Sequence, residues 1–234
     1  MSNNNSINQE GIQNPHSIIW KVIARFFSSV FHPFLMPTFC TILLFYFHPF
    51  RFGVMEWKQK VLTVFIVFAF TCIYPSIAII IMYKLNMISS INLRIRKDRI
   101  IPYVVVLTFY TWIVYMALKP GTLSFLPNEF LFSHLMIALL IAGCISFVGN
   151  NFLKVSMHML GQGGFVGFLF FTAAYTQVNL QIYFMLALLV AGFMGTSRIV
   201  LKAHTLAEVF AGFLIGFLSQ FIAFIVFPFF GIFS

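Results

Sequence analysis

Apolar runs of about twenty residues recur from one end of this chain almost to the other, and a run of that length covers the roughly 30 Å of a bilayer's hydrocarbon when it is helical. They lie near residues 31–50, 61–83, 101–118, 131–149, 159–177, 180–196 and 206–231 of the 234. Only a short break at Gln177–Gln181 parts two of them, so the count is six to seven spans. Charged residues make up 8% of the chain and hydrophobic ones 61%, where a soluble domain carries roughly 25% charged residues. The expected fold is all-α, a polytopic transmembrane helical bundle.

Three segments organise the chain. Residues 1–30 are a polar tail, Met1 to Ser17, followed by a helix over Ile18–Phe31 whose Lys21 and Arg25 share a face, as in a helix lying at a membrane interface. Residues 31–83 hold the N-terminal spans, with Pro33, Pro37 and Pro75 expected to kink or delay them. Residues 84–234 form the helical core. Cys40, Cys72 and Cys144 each stand alone in apolar runs and read as buried, inert thiols. Ala207, Ala211, Gly212 and Gly216 repeat at the spacing that lets helices approach closely in lipid. Gly161, Gly163, Gly164 and Gly167 read equally well as packing sites or as backbone exposed to a ligand.

Alternation of the spans brings the loops near 84–100, 150–158 and 197–205 to one membrane face. Those loops carry Arg94, Arg96, Lys97, Asp98 and Arg99; Lys154, Ser156 and His158; and Ser197, Arg198, Lys202 and His204. Ionisable groups are costly near a bilayer, and those a chain retains there are functional candidates. His204 and Glu208 stand four apart, so a helix places the carboxylate against the imidazole. Phosphoryl transfer uses such a set: cations on the phosphate oxygens, an in-line nucleophile and an acid for the leaving oxygen. Arg198 offers a planar fork and Lys154 a point charge. His204, its tautomer fixed by Glu208, is the candidate nucleophile, and His158 the candidate acid and base. His16, His32, His48 and His134 read as structural.

The string Ser197-Arg198, five residues, His204, three residues, Glu208, followed by Val209-Phe210-Ala211-Gly212, resembles the third signature of the type 2 phosphatidic acid phosphatase superfamily. That group includes membrane lipid phosphatases and relatives of vanadium haloperoxidases. Val155-Ser156-Met157-His158 is similar to its second signature, Pro-Ser-Gly-His, in the serine and histidine alone. The resemblance spans roughly residues 84–216. It implies His204 as phospho-accepting nucleophile, Glu208 as its orienter, His158 as leaving-group acid, and Ser156, Ser197 and Arg198 on the phosphate. The family's aspartate is Glu208 here, and its first signature, Lys-x6-Arg-Pro, has no match. Lys154, or Arg99 in Arg99-Ile-Ile-Pro102, stands as the candidate substitute cation.

The expected activity is metal-independent hydrolysis of a phosphomonoester or pyrophosphate on a phosphatidate-like or polyprenyl lipid, with no cofactor. Transfer of the phosphate to another lipid, or a non-catalytic or transport role, remains as an alternative. The net charge of +9 falls mostly in loops, which points to anionic lipid headgroups or phosphate as partners and not to nucleic acid. Ten of the 14 Lys and Arg residues lie on the motif face, which by the positive-inside rule would be cytoplasmic. The family resemblance implies the opposite, a periplasm-facing site in a bacterial inner membrane, and that is the expectation adopted.

Overall fold

The computed structural model describes residues 15–48, 51–91, 93, 97–119 and 130–230, and of residues 15–18 and 229–230 the backbone alone. Arg94 and Arg96, and most of the expected polar tail, lie outside the described residues. Among those described there are helices and no strand. The chain is an integral membrane protein: six helical stretches are long and apolar enough to cross a bilayer, at Ile19–Phe47, Trp57–Lys84, Lys97–Leu118, Phe130–Gly149, Gln181–Val200 and Leu206–Val226.

The first stretch is broken. Helix α1 (Pro15–Val30) starts on a proline, whose missing N–H costs nothing at a helix start. It ends because Pro33 forces the preceding residue out of the helical region, and His32 is extended there at φ −65°, ψ 137°. A single 3-10 turn, Pro33–Leu35, then leads into α2 (Met36–Phe47). The second stretch is α3 (Trp57–Phe68) and α4 (Tyr74–Lys84), joined by a π-helical turn over Ala69–Ile73. Pro75 lacks the N–H that Thr71 O would accept, and the wider turn absorbs that loss. The Thr71 hydroxyl bonds Val67 O at 2.8 Å and Phe34 O at 3.1 Å, tying the turn to the first stretch.

The remaining helices are α5 (Ile100–Leu118), α6 (Phe130–Gly149), α7 (Met157–Thr176), α8 (Gln181–Val200) and α9 (Leu206–Val226). The expected break near Gln177 is real: Gln177 closes α7 in the left-handed region at φ 59°. Helix α7 is not among the six apolar stretches, yet its 20 residues run parallel to α9 along its length. The glycines explain how. A Cβ on Gly163 would lie 2.0 Å from Phe213 O, and one on Gly216 would lie 2.1 Å from Leu160 O. Only hydrogen fits at those points, so α7 and α9 pack backbone to backbone. The two glycine sets that read separately in the sequence face one another, and for Gly163 and Gly167 the neighbour is α9.

Parallel packing of α7 on α9 puts both N-termini at one end of the bundle. Helix α8 runs the other way and brings its C-terminus to that same end, where α5 begins. One cysteine expectation needs correction. Cys40 is buried, but Cys72 is only half buried and Cys144 is exposed on the outer side of α6, where its apolar character suits lipid as well as a core.

Candidate functional site at the common end of the helices

The spacing between Arg198 and His204 is that of a tight helix reversal. Helix α8 closes with Ala203 N bonded to Arg198 O at 3.0 Å and Lys202 N to Ile199 O at 2.9 Å, the paired bonds of a Schellman turn. Lys202 holds the left-handed position that glycine usually takes, at φ 52°. Thr205 then caps α9. Its hydroxyl accepts from Glu208 N at 3.4 Å, while Glu208 Oε2 accepts from Thr205 N at 3.1 Å, a reciprocal capping box.

The same oxygen, Glu208 Oε2, lies 2.9 Å from His204 Nδ1. A carboxylate only accepts, so the network assigns the imidazole proton to Nδ1 and leaves the Nε2 lone pair bare. Both side chains are mostly buried, with 8% and 15% of their surface exposed. Burial lowers the pKa of His204 below its usual 6.5, the nearby cations Lys154 and Arg99 lower it further, and the hydrogen bond to Glu208 opposes them. His204 is therefore neutral at pH 7, the state a nucleophile requires.

Two loops lock onto this turn. Lys154 Nζ donates to Ala203 O at 3.1 Å, and the Ser156 backbone N–H donates to Glu208 O at 3.3 Å. Arg99, at the start of α5, is buried; its Nε donates to Leu93 O at 2.9 Å and an Nη to Val155 O at 3.0 Å. It braces the 150–156 loop and lies close enough to Glu208 and His204 to interact with both. Ser156 is the N-cap of α7, fully buried, with a hydroxyl that has no partner among the described residues.

Arg198 is 8% exposed, and among the described residues no carboxylate pairs with it. One Nη donates to the Ser28 hydroxyl, while its buried Nε has no partner among the described residues. His158 lies one residue inside α7, within electrostatic reach of Arg198 and His204, with its Nε2 3.2 Å from Ser28 O. The structure thus gathers His204, Glu208, His158, Arg198, Lys154 and Arg99 at one end of the bundle, with Ser156 between them. It does not bring in Ser197, whose hydroxyl turns back to Phe193 O in its own helix at 2.8 Å.

Two residues of this end escaped the sequence reading. Ser28 attracted no notice, and His32 read as structural. His32 does hold the 3-10 turn, its Nδ1 accepting from Phe34 N at 3.4 Å, but its ring also lies edge-on to His158 at 5.5 Å between centroids. Ser28 and His32 both lie in the first apolar stretch, Ile19–Phe47, where no motif marked them. Among the described residues no three His, Cys, Asp or Glu side chains converge as a metal cage would. Next to the site, a partly open apolar cavity of about 70 Å³ is walled by Pro33, Tyr103 and Met157 and, deeper, by Met36, Leu107 and Leu135. No family model matches the chain, and neither a curated protein nor a solved structure is matched by it.

Proposed function

We propose that the protein is a membrane lipid phosphatase that hydrolyses a phosphomonoester or pyrophosphate through a phosphohistidine at His204. The observation that carries this reading is the His204–Glu208 pair, proton on Nδ1 and Nε2 bare, with His158 in electrostatic reach of both His204 and the buried Arg198 guanidinium, which no carboxylate neutralises among the described residues. Removing an unpaired cation from water is costly, and an anionic ligand would offset that cost. In the reaction, His204 Nε2 attacks phosphorus and the bond to the lipid oxygen breaks. His158, which rests with Nδ1 bare, takes up a second proton at Nδ1 as the anionic substrate binds beside it, and gives that proton to the departing alkoxide. Water then attacks phosphorus and the P–N bond breaks, its electron pair returning to His204 Nε2, while His158 Nδ1 takes a proton from that water and inorganic phosphate leaves. Arg198 and Lys154 hold the equatorial oxygens, with Ser156 as a further donor and Arg99 fixing the loop that presents them.

A lipid substrate is supported by two features. The cluster lies where apolar helices begin and end, the depth of phosphate headgroups. The apolar cavity beside it starts at Pro33 and Met157, the neighbours of His32 and His158, and reaches past Leu107 and Leu135. In this reading the protein sits in a bacterial inner membrane with the site at the periplasmic face. With Lys154, Arg198 and Lys202 set aside as cations of the site's own turn and loop, seven Lys and Arg residues on this face still stand against four on the other, so the periplasmic placement rests on the family resemblance and not on charge.

The test is release of inorganic phosphate from a panel of lipid phosphates by detergent-purified protein, in chelator and without added metal. Wild type should turn over and His204→Ala should not. Turnover by His204→Ala at the unmutated rate, or abolition of wild-type activity by chelator, would sink the reading.

A further inference from the structure

Helix α1 ends where the site begins, and one residue of its last turn touches two site side chains through two different atoms. Ser28 is buried. Its hydroxyl donates to Ala24 O at 2.6 Å, one turn back, which commits its single proton and leaves the oxygen able only to accept. Arg198 donates to that oxygen. The carbonyl of Ser28 is one of the last four of α1, which have no intrahelical partner, and Pro33 is the reason the helix goes no further. That orphaned carbonyl faces His158 Nε2 at 3.2 Å. Since a carbonyl accepts and never donates, Nε2 carries the proton, and Nδ1 is the nitrogen left for proton transfer. The C-terminal end of a helix is also its negative end, which suits a guanidinium.

We propose that Ser28 is a positioning residue of this site, serving His158 and Arg198 as Glu208 serves His204. Its carbonyl fixes the tautomer and ring plane of His158, and its hydroxyl aims the guanidinium of Arg198 so that Nε stays available to an anion. The purpose of that aim rests on the phosphatase reading; the aim itself is measurable without turnover. The same contact allows a rival account, in which Ser28 merely plugs the donors until a ligand expels it. The two accounts differ in sign. Loss of a positioning hydroxyl weakens anion binding, whereas loss of a plug strengthens it.

The experiment uses full-length protein in detergent with inorganic phosphate as the probe, its affinity taken from calorimetry, alongside steady-state kinetics on a lipid phosphate. Ser28→Ala should weaken phosphate binding and raise KM by about tenfold, the worth of one hydrogen bond to a charged group, while kcat stays within about threefold. Ser28→Thr keeps a hydroxyl in place and should restore both to within about twofold of wild type. Alanine is the strongest helix former, so α1 persists in the variant; should Ser28→Ala nevertheless not fold, Ser28→Cys, whose thiol is a poor acceptor, should show the same loss. Phosphate bound by the variant as tightly as by wild type, or more tightly, overturns the proposal whatever the turnover. Ser28-dependent phosphate binding with no release from any lipid upholds it and removes the phosphatase reading.

Discussion

Glu208→Gln separates what the carboxylate does by shape from what it does by charge. Two donors, His204 Nδ1 at 2.9 Å and Thr205 N at 3.1 Å, converge on the single oxygen Oε2. An amide that turned its NH2 to that position would set a donor against both, so glutamine is expected to keep its oxygen there and His204 its tautomer. Only the charge is lost. A hydrogen bond to a charged group is worth about 1.5–3 kcal/mol and a neutral one about 0.5–1.5 kcal/mol, so the direct loss is about 1–2 kcal/mol. Phosphorylation of Nε2 adds positive charge to the ring, and the missing carboxylate then costs up to roughly 4 kcal/mol more at an effective dielectric near 20, reduced by the partial exposure of the pair. The expected fall in kcat is therefore on the order of 10² to 10³, at about 1.4 kcal/mol per decade. Glu208→Ala removes the shape as well, freeing the ring and opening the cap of α9, and should cost more. The assay is burst labelling of the protein by a radioactive lipid phosphate, followed by phosphate release at saturating substrate. The reasoning fails if Glu208→Gln loses less than about threefold, or if it is as inert as His204→Ala.

Two further outcomes follow from the same geometry. The bare, neutral form of His204 is the reactive one, and burial together with Lys154 and Arg99 holds its pKa below 6.5; activity should thus persist as pH falls through 6.5 and decline only below it. Lys154→Gln removes one of the lowering charges and should move that acid limb of kcat/KM upward, so an unmoved or lowered limb would contradict the assignment. Gly163→Ala would set a Cβ 2.0 Å from Phe213 O and must separate α7 from α9, costing more than about 2 kcal/mol of stability. Gly192→Ala, where a Cβ meets nothing within 4 Å, is the matched control, and equal melting temperatures for the two would refute the packing account.

Much of the bundle was legible because hydrocarbon thickness imposes one length on every crossing. The runs read at 101–118 and 131–149 agree to within a residue with Ile100–Leu118 and Phe130–Gly149. Helix α7 was legible too, although Gln162 and its glycines make it less apolar, since its enclosed position demands small residues more than greasy ones. The geometry of Arg198–Glu208 was legible because its spacing is local: a Schellman reversal and a capping box lie wholly within that string. Ser28 was illegible for the opposite reason. Its contact with Arg198 joins residues 170 apart in sequence, and a lone serine in an amphipathic helix carries no pattern. The proton assignment at His158 likewise depends on where a helix stops, a consequence of Pro33 that no motif encodes.

Arg198 is where local stability and the rest of the molecule disagree. Several buried polar atoms lack a partner among the described residues, including those of Thr38, Gln162 and Thr172, but Arg198 Nε alone belongs to a permanently charged group. A leucine at the end of α8 would cost nothing in desolvation, whereas a guanidinium with one hydroxyl for company costs several kcal/mol by general experience of buried ions. The turn that follows adds strain of its own through the left-handed Lys202, worth roughly 1–2 kcal/mol for a residue with a side chain. The backbone-to-backbone seam of α7 on α9 supplies the stability that lets both persist. Either cost could be relieved by a single substitution, and both stand at the turn that also sets His204 against Glu208, which is the arrangement the proposed anion site calls for.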